Sequence, residues 1–141
     1  MEISKIKVKL DPGAKMPTRA YPYDAGLDLY AAERKIIRPH DFEIVETGTH
    51  VVIPKGCVGF LTSKSGLMAQ FGLTSHGTID CDYTGSIKPI VFNHNGKTVI
   101  IEKGDKVTQL VIFKCELPTP ELVDFLEETP RGNNGFGSTG R

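Results

Sequence analysis

Short apolar segments separated by turn-forming residues recur along the chain. Between residues 5 and 10, Ile6, Val8 and Leu10 alternate with lysines, which is the two-residue period of a strand with one solvated face. Segments rich in Val, Ile, Phe and Thr predict further strands at 42–47, 50–53, 58–62, 87–93, 98–101 and 107–114. Their spacing is typical of a β-sandwich or barrel. The pattern therefore predicts an all-β fold.

The intervening segments predict little helix. Residues 65–71 form the one internal stretch that favours a short helix, and Gly66 and Gly72 limit it to about two turns. Asn95-Gly96 lies between two apolar runs and predicts a tight hairpin turn. Pro89 interrupts the run 87–93, which places it at an edge, a bulge or a turn towards a ligand.

The C-terminal segment differs from the rest of the chain. Residues 131–141 contain four glycines and a single large apolar side chain, Phe136, so this segment cannot bury enough surface to fold alone. We expect a barrel domain over 1–126 and a mobile arm over 127–141. The glycine spacing at 135–140 lacks the strand and helix of a dinucleotide fingerprint. Arg131 and the glycine N–H groups nevertheless suit phosphate, and Phe136 suits base stacking; the alternative is a solvated tail.

Composition excludes several classes of function. Lys plus Arg and Asp plus Glu are 17 each, so no basic excess favours a long nucleic acid as partner. The sequence has neither a signal-peptide pattern nor a membrane-spanning run, and we expect a soluble, cytoplasmic protein without a membrane partner. Cys57, Cys81 and Cys115 lack metal-site spacing and are expected to be mostly buried free thiols.

Four segments carry candidate chemistry. Asp80 and Asp82 are two residues apart; on a strand they share a face, and one could act as a general base, whereas in a turn they would cap it. Asp28 lies between two leucines, and from this pattern alone we expect an exposed strand acid. The segment 63–66 offers hydroxyls and a lysine at a helix start, where phosphate is favoured. Gln109 is polar within an apolar strand.

In order, five segments resemble the signature motifs of the trimeric dUTP pyrophosphatase (dUTPase) family. They are 25–29, 64–67, 77–85, 104–110 and 131–140. The resemblance implies a jelly-roll-like β-barrel and a homotrimer whose active sites are shared between subunits. It also implies Mg²⁺-dependent hydrolysis of dUTP to dUMP and pyrophosphate, which limits uracil incorporation into DNA and supplies dUMP for thymidylate synthesis.

The resemblance also implies catalytic roles. Asp80 would activate the water that attacks the α-phosphorus and hold the 3′-hydroxyl. Ser65 would donate to the leaving phosphate, and Gln109 would hold the phosphates or the water. Tyr83 would exclude a 2′-hydroxyl. Asp28 would contact Mg²⁺ through water.

The substrate-binding residues implied by the resemblance form a larger set. They are Lys64, Ser65, Gly66, Gly77, Thr78, Ile79, Asp80, Tyr83, Lys88, Gln109, Arg131, Phe136, Gly137, Ser138 and Thr139. Lys64 stands where the family usually has Arg, which exchanges a bidentate fork for a point charge. The segment before the third motif is short, so we expect backbone groups at 77–79 and near Lys88 to read uracil, assisted by Thr74, Ser75 or His76.

Two alternatives remain at the level of sequence. A dCTP deaminase of related fold needs a catalytic Glu beside the pyrimidine, and the third motif offers Asp80 and Asp82 instead. A nucleotide-gated interaction protein would use an ordering of the tail to change a partner-binding surface. Such a role can coexist with catalysis.

Overall fold

The computed structural model describes residues 5–141, and strands dominate it, which confirms the all-β prediction. The elements are β1 Val8–Leu10, β2 Leu27–Tyr30, β3 Lys35–Ile37, β4 Phe42–Ile44, β5 Thr49–Val51, β6 Cys57–Thr62, α1 Ser65–Phe71, β7 Leu73–Ile79, β8 Ile90–Asn93, β9 Val99–Ile101 and β10 Lys106–Lys114. Helix α1 has the predicted bounds. The first four residues of the predicted domain 1–126 lie outside the described residues.

Six strands form the sheet that positions the candidate site, in the order β2-β10-β6-β7-β8-β4. All its neighbours are antiparallel, and β10 lies between β2 and β6. Gln109 is opposite Asp28 on one side and Thr62 on the other. Two further pairs, β1-β5 and β3-β9, complete the layers. The register therefore brings the first, second and fourth candidate segments side by side.

Inward-facing side chains form two core clusters. The first contains Leu29, Val51, Ile53, Cys57, Leu61, Ile79, Ile87 and Leu110. The second contains Ala31, Ile37, Val45, Leu73, Val91, Ile101 and Val107. Cys57 is buried as predicted, whereas Cys81 and Cys115 are half-buried, and all three thiols are free. Burial of these apolar faces is the main term that holds the strands together.

Two strands, β3 and β7, were not predicted, and β2 was anticipated only as a strand around Asp28. In β7, Leu73, Ser75 and Ile79 point inward, but the polar and small residues between them hide the period. Ser75 is buried because its hydroxyl is satisfied, donating to Thr108 Oγ1 at 2.8 Å. A strand with a hydroxyl in its apolar face does not show the alternation that sequence analysis detects.

The prediction of a tight hairpin turn at Asn95-Gly96 is wrong. The flanking strands enter different sheets, since β8 pairs with β4 and β7 while β9 pairs with β3. The connection is a wider bend in which the buried Asn93 amide donates to the carbonyls of Ile37 and Lys97 at 3.0 and 2.8 Å. Tertiary hydrogen bonds, and not the local turn chemistry, set this reversal.

Other strands are shorter than predicted where side chains or prolines interrupt the hydrogen bonds between strands. Residues 45–47 leave β4, and Val45 N–H donates to the carbonyl of Pro89 at 3.0 Å just before β8 begins. The apolar segment 121–126 has neither helix nor strand and is exposed throughout. Across residues 5–141, no helix has the length and apolar character needed to cross a membrane.

Candidate active site

Gln109 lies on β10, between Asp28 of β2 and Thr62 at the end of β6. Its amide Nε2 donates to the Ser63 carbonyl at 3.0 Å, which ties β10 to the segment leading into α1. A Cβ at position 26 would collide with the Gln109 carboxamide, so glycine is required there for the side chain to lie across the strands. Gln109, the polar residue singled out in an apolar strand, thus contacts both the first candidate segment and the segment leading into α1.

Asp28 is buried, and its predicted exposure is wrong. It is 3% exposed, because Gln109 of β10 lies opposite it on one side and a bridge to Thr18 covers the other side of this edge strand. One carboxylate oxygen accepts from Lys64 and the other from Lys106 Nζ at 3.1 Å. Burial raises the pKa of Asp28, but the hydrogen bonds and charges of the two lysines outweigh it and leave that pKa below its usual value. The same contact raises the pKa of Lys106.

Helix α1 begins immediately after Lys64, which belongs to this charged cluster. Lys64 is the residue before the helix, and its carbonyl accepts the first helical hydrogen bond, from Met68 N–H at 3.0 Å. The N–H groups of residues 65–67 precede that bond and have no partner within the helix. The structure therefore brings Lys64, Ser65, Gly66 and Gln109 to one end of the sheet.

The third candidate segment lines a cavity of about 250 Å³ on the other side of β6. Its lining residues are Leu61, His76, Gly77, Thr78, Ile79, Asp80, Tyr83, Lys88 and Ile90. The set contains residues 77–80, Tyr83 and Lys88, which are expected at the base and sugar, whereas Phe136, expected to stack on uracil, lies outside it. Of the three candidates for assistance, His76 lines the cavity, Thr74 is bonded to His94 at 2.7 Å and Ser75 is buried.

Asp80 and Asp82 do not share a strand face, because β7 ends at Ile79 and a turn follows. Tyr83 N–H donates to the Asp80 carbonyl at 3.2 Å, which returns the Tyr83 ring to the cavity. Its hydroxyl donates to the Ser86 carbonyl at 2.7 Å, and the ring covers Gly85, where a Cβ would lie 2.6 Å from Cζ. Asp80 lines the cavity and Asp82 lies outside it.

Glu46 supports this loop and was missed by sequence analysis. Its carboxylate accepts from the Ser86 hydroxyl and from Gly48 N–H at 2.8 Å, and it lies 3.5 Å from Lys88 Nζ. Burial raises its pKa, but these contacts outweigh that effect and lower it. The contacts with Ser86 and Lys88 join residues 40 and 42 positions apart, so no local pattern indicates them. His50 adds a second tie, with Nδ1 donating to the Thr84 carbonyl at 2.8 Å.

The candidate residues fall into separate groups within one chain. The hydrogen bonds and ion pairs of Asp28, Lys64 and Gln109 include none of the residues that line the cavity. The arm forms a third group, in which Arg131 Nε donates to the Asn134 carbonyl at 3.0 Å and Phe136 is fully exposed. The hydrogen bonds of residues 129–140 join these residues to one another.

The residues present do not fit a magnesium-bound water at Asp28. Two ammonium groups already contact this carboxylate, and they would repel a divalent cation brought beside them. Among residues 5–141, no group of three or more His, Cys, Asp or Glu side chains could hold a metal ion. The side chains of these described residues thus do not form a metal cage of their own.

Comparison with known proteins gives consistent matches over nearly the whole chain. A protein-family model described as dUTPase matches residues 13–140. The deoxyuridine 5′-triphosphate nucleotidohydrolase of Corynebacterium efficiens is 44% identical over 138 residues, covering 95% of this chain and 76% of that protein. The enzyme of the same name from Corynebacterium glutamicum is 43% identical over 145 residues, covering 99% and 97%.

Solved structures match the fold equally well. A variant of the Staphylococcus bacteriophage 80alpha dUTPase, solved with dUpNHpp, is 30% identical with a TM-score of 0.90 and covers 99% of this chain and 100% of that chain. A variant dUTPase from phage phi11 of S. aureus, described with a structural Mg(II) ion, is 30% identical with a TM-score of 0.79, covering 88% and 99%. The jelly-roll-like fold implied by the sequence motifs is thereby confirmed.

Proposed function

The chain belongs to the dUTPase family and hydrolyses dUTP to dUMP and pyrophosphate, and from this premise we propose that Asp80 is the base that activates the attacking water. The cavity beside β7 carries this proposal, because it places one carboxylate among groups suited to a nucleoside. Asp80 accepts the proton of a water directed at the α-phosphorus. The exposed position of its side chain leaves it accessible to water.

The same cavity accounts for selection of the base and the sugar. Residues 77–79 line the cavity beside His76, and in this proposal their backbone N–H and C=O groups read the edge of uracil. Tyr83 is fixed by its bond to Ser86 and packs against the deoxyribose, so a 2′-hydroxyl would clash with the ring. Discrimination against UTP is therefore steric.

The group around α1 supplies the phosphate contacts. Ser65 and the N–H groups at the start of α1 donate to phosphate oxygens, where negative charge develops on the leaving pyrophosphate. Lys64 adds a point charge, and Gln109 holds the adjacent segment in place through Ser63. Arg131, Ser138, Thr139 and Gly137 of the arm grip the γ-phosphate while Phe136 stacks on uracil.

We propose a homotrimer in which each active site combines these groups from different subunits. The separation of the nucleoside cavity, the phosphate group and the arm within one chain supports it. The dependence on Mg²⁺ expected for the family is assigned to the triphosphate oxygens, which are the ligands that Mg²⁺ prefers, and not to Asp28. A matched experiment with and without Mg²⁺ tests this dependence.

Pyrophosphate release from dUTP, dTTP, dCTP and UTP, each with and without Mg²⁺, tests the proposed function. We expect turnover of dUTP with Mg²⁺ and far slower release from the other three nucleotides. Ammonia release from dCTP tests the deaminase alternative, for which the cavity lining offers Asp80 and no glutamate. Equal turnover of dUTP and UTP would contradict the role of Tyr83, and dUTP turnover independent of Mg²⁺ would contradict the metal requirement.

A further inference from the structure

A β-bulge directs Lys106 towards Asp28. Gln109 is opposite Asp28, and Lys106 is opposite Tyr30, so three steps along β10 match two steps along β2. In a regular pair, a three-residue step would place Lys106 and Gln109 on opposite faces. The extra residue in β10 restores a common face, and Lys106 Nζ reaches Asp28 Oδ2 at 3.1 Å.

The resulting cluster has one more positive charge than its buried acid requires. Asp28 carries one negative charge, whereas Lys64 and Lys106 carry two positive charges between them. A buried carboxylate needs one close cation to offset its desolvation. Either lysine alone would meet that need, so the second leaves a net charge of about +1 at the start of α1.

The two lysines differ in what else they can reach. Lys64 directly precedes Ser65 at the helix start. Exposure does not favour Lys64, since its side chain is 24% exposed and that of Lys106 is 43% exposed, so position along the chain distinguishes them. Lys106 lies on β10 and also lines an apolar cavity beneath α1, together with Leu67, Phe71 and Leu73. Lys64 is therefore the cation placed for a phosphate, and Lys106 is the cation placed to remain with Asp28.

We propose that Lys106 is a positioning residue, a resident counter-ion of Asp28 that allows Lys64 to leave this carboxylate and bind the triphosphate. The inference rests on the proposed phosphate role of the α1 group. Without Lys106, Lys64 is the only cation beside Asp28. If Lys64 then moves to the nucleotide, the buried carboxylate has no cation beside it, which makes binding less favourable. Lys106 thus acts on the nucleotide through Lys64 and Asp28.

Binding of a non-hydrolysable dUTP analogue, measured by titration calorimetry, tests this role. Lys106→Met should weaken the analogue by roughly ten-fold or more, as expected for loss of a charge that acts on a buried pair. Affinity for deoxyuridine, which has no phosphate, should not change. Lys106→Arg should retain affinity within a few-fold. Lys114→Met is the matched control, because Lys114 is an exposed lysine at the other end of β10.

An Asp28→Asn background separates the indirect role from direct phosphate contact. When the acid is neutral, Lys64 needs no release, and adding Lys106→Met should then change analogue affinity by less than about two-fold. An equal loss in both backgrounds would show that Lys106 contacts the nucleotide itself. No loss in the native background, or an equal loss of deoxyuridine binding, would likewise overturn the proposal.

The same preparations distinguish this inference from the proposed function. Turnover of dUTP by the unmodified chain and its loss in Asp80→Asn test the proposed function alone. If these hold and Lys106→Met binds the analogue normally, only the role of Lys106 is contradicted. Should Lys106→Met fail to fold, as judged by circular dichroism and thermal unfolding, Lys106→Gln carries the same prediction, because it removes the charge and keeps a donor near Asp28.

Discussion

At the scale of single residues, the chemistry depends on how a few carboxylates are placed. Asp80 lines a cavity, Asp82 lies in the same turn outside it, and Asp28 is buried between lysines. These three acids are similar in sequence context, each beside apolar or turn residues. Only their surroundings separate the proposed general base from a surface acid and a buried ion pair.

Replacement of Asp80 by Asn should abolish most turnover and preserve nucleotide binding. The amide keeps the shape of the carboxylate but cannot accept the proton, so kcat should fall by about 10² to 10⁴. Steady-state kinetics and calorimetry with the dUTP analogue measure the two quantities. Asp82→Asn is the control and should remain near the activity of the unmodified chain. Retention of more than about a tenth of kcat in Asp80→Asn would exclude Asp80 as the base.

At the scale of elements, sequence patterns identified the segments that are rich in apolar residues and bounded by turn-forming residues. Strands β6 and β10 and helix α1 were found close to their observed bounds. Strand β7 was not, because Ser75 replaces an apolar residue on its inner face and is satisfied by Thr108 across the fold. The burial of Asp28 was missed for a similar reason, since the two lysines that compensate it are 36 and 78 positions away.

The arm is the element whose behaviour we expect to depend most on ligand. Its residues are almost all exposed and bonded among themselves, and fixing each backbone residue costs about 1–2 kcal/mol. Closure must therefore be stabilised by charged hydrogen bonds from Arg131 and stacking of Phe136. The dUTP analogue should supply these contacts, whereas dUMP lacks the γ-phosphate.

We expect the dUTP analogue with Mg²⁺ to protect residues 131–141 from amide exchange, and dUMP to leave them as exchangeable as in the free protein. Deletion of 131–141 should abolish most turnover and leave the barrel folded, because the core clusters lie entirely between residues 29 and 110. Equal protection of the arm in all three states would contradict a substrate-ordered lid.

At the scale of the whole molecule, we propose that subunits share each active site. Five motifs lie on one small fold, yet their contacts divide into groups that do not meet within the chain. A rotationally symmetric trimer places the same three surfaces at three equivalent boundaries. One chain then contributes its cavity to one site and its arm to another.

Complementation between two inactive chains measures this sharing most directly. A chain lacking 131–141 keeps Asp80, and the Asp80→Asn chain keeps its arm. Co-refolded at equal amounts, they should form a random mixture of trimers in which about a quarter of all sites are complete. Native mass spectrometry verifies that mixed trimers form. In the control, a chain with both changes replaces the chain lacking 131–141, so that no site can be complete. We predict recovery of dUTP turnover in the first mixture and none with the control. Mixed trimers without recovered turnover, or a monomer at micromolar concentration, would contradict shared active sites.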